Sequence, residues 1–381
     1  MFPVPCRTYS SLPDESYPRN IDSRPFKRYY NPYRIEEIKI DRRTLPPGKY
    51  RREGYEARQV FDIHISRIVT EYRAQVLEDD RGNRFVAPFP KGVNKAVQYG
   101  AGVKAHAVYL SQFQLLPYNR IRDYFTDQVG LPISEGSIFN FNKEAFELLS
   151  EFEVQVKDQL VESKLIHADE TGFNMGGEKY WLHSLSNDLW TYYGAYKKRG
   201  AEAMDEIGVL PRFKGILCHD HWKPYYQYDC THALCNAHHL RELTRAWEQD
   251  GQKWAFEIKE FLERINRKVN EASSVLEAKT SQRYRKRYRD LIEKAELECP
   301  EPIKEKKGKR GRIKKTKSRN LLERLRDYEN YTLRFMEIDY VPFTKNLGEN
   351  DIRMTKVQQK ISGCFRSIEG AEIFCRVRGY L

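Results

Sequence analysis

Short runs of alternating or mainly apolar residues fill the middle of the chain. Their aromatic and β-branched side chains are typical of β-strands. Five such runs follow one another: 163–166, 180–185, 190–196, 213–220 and 228–235. A short helix is predicted over 201–210, between the third and fourth runs, and a long helix begins at Asn236. The pattern therefore predicts an α/β domain in this part of the chain.

Helical spacing of apolar residues dominates the segment before these strands. Helices are predicted over 99–116, 118–128, 134–142 and 144–162. Ser134 is a suitable N-cap for the third helix. Two helices joined by a short glycine-containing turn are also the layout of a helix-turn-helix DNA reader. The region 93–162 is therefore predicted to bind DNA or to serve as a scaffold that packs on the strands.

Two further segments are predicted before residue 93. Residues 1–50 are rich in Pro, Tyr and Arg and lack periodicity, which is typical of an extended or disordered arm. Residues 51–92 alternate at period two on both sides of a turn sequence, DRGN, at 80–83. This alternation predicts a small antiparallel β unit of three strands.

A charged helical segment follows the predicted strands. Residues 246–340 carry apolar side chains at helical spacing, which predicts a helical insertion with a basic loop at 301–319. The last block, 341–381, returns to the α/β domain. The order of strands and helices is that of an RNase H-like core. The predicted fold is thus α/β, with this core interrupted by the insertion and preceded by the helical region and the β unit.

The charge of the chain favours a polyanionic partner. The formal net charge is +12 and the isoelectric point is about 9.2, which favours nucleic acid first and a membrane surface second. The loop 301–319 holds ten Lys or Arg against two Glu, a net charge of +8. We predict DNA contacts by its Lys309, Arg310 and Arg312. A solvated basic loop without a partner is the alternative.

Cysteine usage and hydropathy indicate the compartment. Seven cysteines occur, an odd number without any CxxC pair, which favours reduced thiols over a disulfide framework. No run of 18 apolar residues is present, so no transmembrane helix is predicted. The expected location is the cytoplasm, with association to the nucleoid when DNA is bound.

Three acidic residues stand at corresponding places in the predicted core. Asp169 follows the first strand, Asp220 follows the fourth, and Glu349 lies on a helix after the insertion. The first and fourth strands of an RNase H-like sheet are neighbours, so their ends bring the two aspartates together. Clustered carboxylates repel one another unless a divalent cation lies between them, and oxygen ligands suit Mg²⁺ or Mn²⁺. Asp169 as a simple turn cap is the alternative.

Basic residues share a helix face with the third acid. Glu349, Arg353, Lys356 and Lys360 are spaced i, i+4, i+7 and i+11, which places them on one face. These cations would hold phosphates of a strand being cut. An ordinary ion-paired surface helix has the same spacing.

Four sequence blocks together resemble a transposase of the insertion-sequence 66 family. They are HADET at 167–171, HDHWKPY at 219–225, NAHHLREL at 236–243 and NLGENDIR at 346–353. The resemblance runs from about Gly54 to Leu381. It implies a DDE transposase with an RNase H-like core, in which Asp169, Asp220 and Glu349 match the acidic triad.

The resemblance also implies substrates and partners. It implies Mg²⁺-dependent cleavage at terminal inverted repeats and strand transfer into target DNA. A homo-oligomer on DNA and small accessory proteins of the same element are expected partners. Within the third block, His238, His239 and Arg241 are expected near the acids or the DNA backbone.

Two departures from the family pattern set further expectations. The segment 51–92 has no cysteine where a zinc module is usual, and the chain stops within a helix that such proteins continue. We therefore expect a copy truncated at both ends. A transposase-derived DNA-binding protein without activity and a structure-specific nuclease remain alternative functions. A zinc site is an alternative role for Cys230, His232, Cys235, His238 and His239, although their spacing fits no common finger.

Overall fold

The computed structural model describes residues 34–272, 275–302, 314–344, 346–363 and 365–381, with backbone only at 346, 347, 349 and 350. The described chain forms two compact units. One comprises 34–94 with Asp127–Leu131, and the other comprises Lys95–Thr126 with Pro132–Leu381. No helix of the described ranges is long and apolar enough to cross a membrane.

The first unit contains one β-hairpin. Strands β1 (Val76–Glu78) and β2 (Arg84–Val86) pair antiparallel around the predicted turn, with Leu77 opposite Phe85. The prediction of three strands is wrong, because the alternating run at 60–65 does not form a β-strand. Val60 and Ile63 are 91% and 77% exposed, so neither face of the run has an element to pack against.

A mixed five-stranded sheet organises the second unit. Its strands are β3 (Leu165–Met175), β4 (Glu178–Ser186), β5 (Thr191–Tyr196), β6 (Ile216–His219) and β7 (Thr231–Leu234). Their order is β5-β4-β3-β6-β7. Strand β4 is antiparallel to both neighbours, whereas β3, β6 and β7 are parallel. The predicted succession of strands is confirmed.

Strand β3 is longer than predicted. The sequence analysis placed Asp169 after the end of the strand, but β3 continues through it to Met175 because antiparallel pairing with β4 persists after the parallel pairing with β6 has ended. The chain turns at Gly176 and Gly177, whose φ angles of 58° and 86° favour glycine. Asp169 is therefore held in a strand and is not a turn cap.

Four helices precede the sheet in the chain. They are α1 (Ala101–Val108), which continues as a π turn over Tyr109–Phe113, α2 (Tyr118–Asp127), α3 (Glu135–Leu148) and α4 (Ser150–Val161). The cap prediction is confirmed, since the Ser134 hydroxyl accepts a hydrogen bond of 3.0 Å from the Ser137 amide. The helix predicted over 144–162 is divided at Leu149, because α3 runs past its predicted end.

The remaining helices follow β5. They are α5 (Ala201–Ile207), α6 (Asn236–Glu248), α7 (Lys253–Ala272), α8 (Ala278–Glu298), α9 (Lys317–Asp327), α10 (Glu329–Thr332), α11 (Asn346–Ser362) and α12 (Ile368–Tyr380). Short 3-10 turns occur at Lys223–Gln227, after β6, and at Arg334–Met336. Helices α7 to α9 lie within the segment 246–340, which was predicted to be a helical insertion and is called the insertion below.

Alternation along the strands divides the core between the two faces of the sheet. Ile166 and Leu217 face one cluster, which includes apolar residues of α4 and α5. Leu165 and Ile216 face the other cluster, where α6 packs with the insertion helices. The insertion thus shares a hydrophobic core with β6 and β7, and this packing fixes it to the sheet.

A close approach at Gly215 sets the register between β3 and β6. The Ile216 amide donates to the Lys164 carbonyl at 2.8 Å. A Cβ on Gly215 would lie 2.6 Å from the Ser163 carbonyl oxygen and 2.7 Å from that of Lys164. These are backbone atoms, which cannot move aside without displacing a strand.

We expect Gly215→Ala to lower the free energy of unfolding by about 1–3 kcal/mol, the usual cost of overpacking. Urea denaturation measures the change. Gly102→Ala is the matched control, because its Cβ meets no atom within 4 Å and the change favours the helix. Equal stability of the two variants would contradict the role given to Gly215.

Candidate active site

The pairing of β3 with β6 aligns the two aspartates. Leu165 is opposite Ile216 and His167 is opposite Cys218. The same offset carries Asp169 level with Asp220, just beyond the last paired residues. Residues at one level of parallel strands project to the same face of the sheet. The predicted proximity of Asp169 and Asp220 therefore follows from the observed register.

Helix α11 covers the face to which Asp169 belongs. His167, two residues earlier on β3, lies on that face, and an ideal Cβ on Gly348 would be 3.3 Å from the His167 Cβ. Further along, the Lys356 ammonium donates to the Gly172 carbonyl. The start of α11 thus lies against β3 beside the acids. Only the backbone of Glu349 is described, and it follows Gly348 directly.

Local hydrogen bonds orient the two half-buried carboxylates. Asp169 Oδ1 accepts from the Glu170 amide at 3.0 Å. Asp220 Oδ1 accepts from the Trp222 amide at 2.8 Å. Both bonds come from residues that follow the acid in sequence, so each carboxylate is held by its own stretch of backbone.

Glu170 lies on the opposite face of β3 and is a buried partner in an ion pair. Its side chain is 1% exposed. One carboxylate oxygen accepts from two nitrogens of Arg199, with Nε at 2.9 Å, and the other accepts from the Tyr225 hydroxyl at 2.5 Å. Burial and the nearby charge of Asp220 raise the pKa of Glu170, and the two partners oppose that rise.

Two tryptophans hold Arg199 in place. Its guanidinium carbon lies 4.4 Å from the Trp222 ring centre and 4.9 Å from that of Trp181, a cation–π arrangement. Trp222 is also the residue whose amide binds Asp220. The network connects β3, β4 and the loop after β6 behind the aspartates. Sequence reasoning missed Arg199, because its partners are 29 and 18 residues away.

Two histidines near Asp220, His221 and His239, have lowered pKa values. Burial, followed by the charge of Arg324, lowers the pKa of His221 to about 4 and that of His239 to about 3. His219 Nε2 lies 3.1 Å from His232 Nδ1, and His239 Nδ1 lies 3.1 Å from the Asn236 side-chain oxygen. Both contacts join buried side chains of the protein itself.

His239 was predicted to lie near the acids or the DNA backbone, but its burial rules out contact with a DNA phosphate. It is 2% exposed, and a buried neutral imidazole offers a phosphate neither access nor charge. His238 is half-buried at a cavity beside Asp220, and Arg241 is exposed on α6. The predicted cations of the basic loop, Lys309, Arg310 and Arg312, lie outside the described residues.

Helix α11 presents the predicted basic face. Arg353, Lys356 and Lys360 are exposed, whereas Ile352 and Thr355 are buried. The helix therefore packs through Ile352 and Thr355 and leaves Arg353 and Lys360 at the surface, while the exposed Lys356 also reaches the Gly172 carbonyl of β3. Among the side chains that the structure describes, no group of three metal-binding residues occurs, and that of Glu349 is not among them.

A family model described as "Transposase IS66 family" matches residues 96–373, which is most of the chain and nearly all of the second unit. Proteins of this class process DNA. The protein belongs to the IS66 family of transposases. No curated protein matches the chain.

We expect Arg199→Ala to lower the free energy of unfolding by roughly 3 kcal/mol, since it leaves a buried carboxylate without its cation. The pKa of Glu170, already raised above 4.5, should rise further. At pH values between 4.5, the pKa of an unfolded glutamate, and the higher pKa of folded Glu170, the folded state keeps a proton that the unfolded state has lost. Stability should therefore fall as pH rises through this window.

Urea denaturation across that pH range measures the effect. Lys198→Ala is the control, because the Lys198–Glu202 pair is exposed at 71% and 74% and should contribute little. A pH-independent loss in the Arg199 variant would contradict the proposed charge coupling.

Proposed function

We propose that this protein is a DDE transposase that cuts DNA at terminal inverted repeats and transfers the cut strand into target DNA. One observation carries the proposal. The β3–β6 register sets Asp169 level with Asp220, and the helix that bears Glu349 begins against the same face of β3. Three carboxylates from distant parts of the chain would then meet at one edge of the sheet.

The topology supports an RNase H-like core. In the order β5-β4-β3-β6-β7, the first and fourth strands of the domain, β3 and β6, are neighbours. A single antiparallel strand, β4, separates β3 from β5. This is the arrangement that the sequence predicted for such a core, and it carries the acids at the carboxyl end of the parallel pair.

The acids are suited to hold Mg²⁺ or Mn²⁺. Asp169, Asp220 and Glu349 would supply oxygen ligands only, and two half-buried carboxylates side by side favour a cation between them. When bound, the metal would activate a water or a 3′-hydroxyl and stabilise the leaving oxygen. The chain itself orients the two aspartates through the Glu170 and Trp222 amides.

Surface cations would hold the DNA strands. Arg353, Lys356 and Lys360 form an exposed row on α11 that starts next to Glu349. Arg241 and His238 on α6, with Lys309, Arg310 and Arg312 of the basic loop, would extend this phosphate contact. Oligomer formation on DNA, accessory proteins of the element, and a cytoplasmic, nucleoid-associated location complete the proposal.

We expect Asp169→Asn and Asp220→Asn each to abolish metal-dependent cutting and to retain DNA binding. Loss of one carboxylate removes a metal ligand but leaves the cationic surface unchanged. Denaturing gels of end-labelled duplexes that carry the element's inverted repeat measure cutting with Mg²⁺ or Mn²⁺. Normal cutting by either variant would show that the triad is assigned wrongly.

Glu170→Gln is the matched control for Asp169→Asn. It changes the adjacent carboxylate, which faces Arg199 and Tyr225 and not the aspartates' side of the sheet. Its loss of activity should be smaller than that of Asp169→Asn. A wild-type protein that binds DNA without cutting would favour the non-catalytic alternative, and cut strands without joined products would favour a nuclease.

A further inference from the structure

A cavity of about 170 Å³ lies beside Asp220. Its walls come from separate parts of the chain: the loop after β5, the end of β6, the start of α6 and helix α9 of the insertion. Two arginines, Arg199 and Arg324, line it together with His221 and His238. The cavity has room for more than one water-sized group.

Arg324 has a hydrogen-bonding capacity that the fold leaves unused. Its Nη2 donates to Glu242, which also lines the cavity. Its Nε is buried and has no hydrogen-bond partner in the described part of the chain. A buried donor without an acceptor is destabilising, so such a group calls for a ligand or another explanation.

Arg199 forms a second fixed guanidinium at the same cavity. Its Nε and Nη2 donate to Glu170, which does not line the cavity. The rings of Trp181 and Trp222 flank it. A guanidinium that is already oriented loses little freedom when it binds a phosphate oxygen.

The electrostatic balance in the cavity favours an anion once a divalent cation lies beside Asp220. Without the cation, Asp220 and Glu242 at the cavity and the buried Glu170 oppose the charges of the two arginines. Under the proposed function a divalent cation would offset Asp220, and Glu242 engages only one edge of Arg324. The charge of Arg324 contributes to the lowered pKa of both His221 and His239, so it acts on two other residues that line the cavity.

We propose that this cavity is a phosphate subsite, in which Arg324 Nε and Arg199 bind one phosphodiester of the DNA strand that approaches Asp220. The helical insertion would then contribute a substrate-binding side chain to the active site. This inference rests on the proposed function, since it takes DNA as the ligand. It adds two residues that neither the family match nor the spacing of the acids identifies.

The salt dependence of DNA binding tests the subsite. Each lost phosphate contact lowers the slope of log K against log salt concentration by about 0.9. Arg324→Gln removes the charge but keeps amide donors for Glu242. We expect about tenfold weaker binding to a labelled inverted-repeat duplex and a slope reduced by about 0.9. Binding is measured with Ca²⁺ in place of Mg²⁺, because Ca²⁺ also takes carboxylate oxygens and would offset Asp220, and the duplex is checked to be uncut.

Arg326→Gln is the matched control on the same helix. Arg326 is exposed and pairs with Glu296 and Asp327, neither of which lines the cavity. It should retain the wild-type affinity and slope. Equal slopes for the Arg324 and Arg326 variants would overturn the proposal.

Replacing one charged DNA phosphate at a time with a neutral group identifies the phosphate that the cavity binds. Methylphosphonate placed at successive positions of the duplex should weaken wild-type binding at one position where Arg324→Gln is unaffected. If every position weakens both proteins equally, the subsite does not exist. Arg324→Lys guards against misfolding, because it keeps the charge and should retain the slope while losing affinity. A Lys variant that binds as tightly as wild type would contradict a role for Nε.

The outcomes separate this inference from the proposed function. A reduced slope for Arg324→Gln, together with normal cutting by Asp169→Asn, would keep the subsite and reject the triad. Loss of cutting by the aspartate variants, together with an unchanged slope, would keep the triad and reject the subsite.

Discussion

The parallel pairing of β3 with β6 is the constraint on which the site depends. Three residue pairs fix the register of β3 and β6. The close approach of Gly215 to the backbone of residues 163 and 164 leaves no room for a different register. A shift of one residue would move Asp220 to the opposite face of its strand and away from Asp169. The alignment of the aspartates is thus a property of backbone pairing, which the surrounding apolar clusters stabilise from both sides of the sheet.

Behind this alignment lies a buried ion pair that is coupled to Asp220, since the charge of Asp220 raises the pKa of Glu170 and Trp222 contacts both Arg199 and Asp220. Glu170 is adjacent to Asp169 in sequence yet faces the other way, towards Arg199 and Tyr225. Strand alternation explains the different roles of the two neighbours: the Asp169 carboxylate projects to the face shared with Asp220, and the Glu170 carboxylate projects to the opposite face, where it binds Arg199 and Tyr225.

Sequence patterns predicted the order of the strands, the adjacency of β3 and β6 and the Ser134 cap, because each depends on residues near one another in the chain or on a topological rule. They failed at residues 60–65, where alternation occurs without a surface to pack against. They also missed Arg199 and Arg324. Arg324 meets Glu242, 82 residues away, and no periodicity within α9 distinguishes it from the exposed Arg326.

The stacking of Trp222 on Arg199 has a spectroscopic consequence. The same tryptophan that binds Asp220 through its amide places an indole ring against a fixed cation. Any change of charge at Asp220 therefore occurs beside a natural fluorophore whose emission responds to local electric fields. Trp222 is one of five tryptophans, and in a variant that keeps it alone it would be an intrinsic optical reporter of events at this carboxylate.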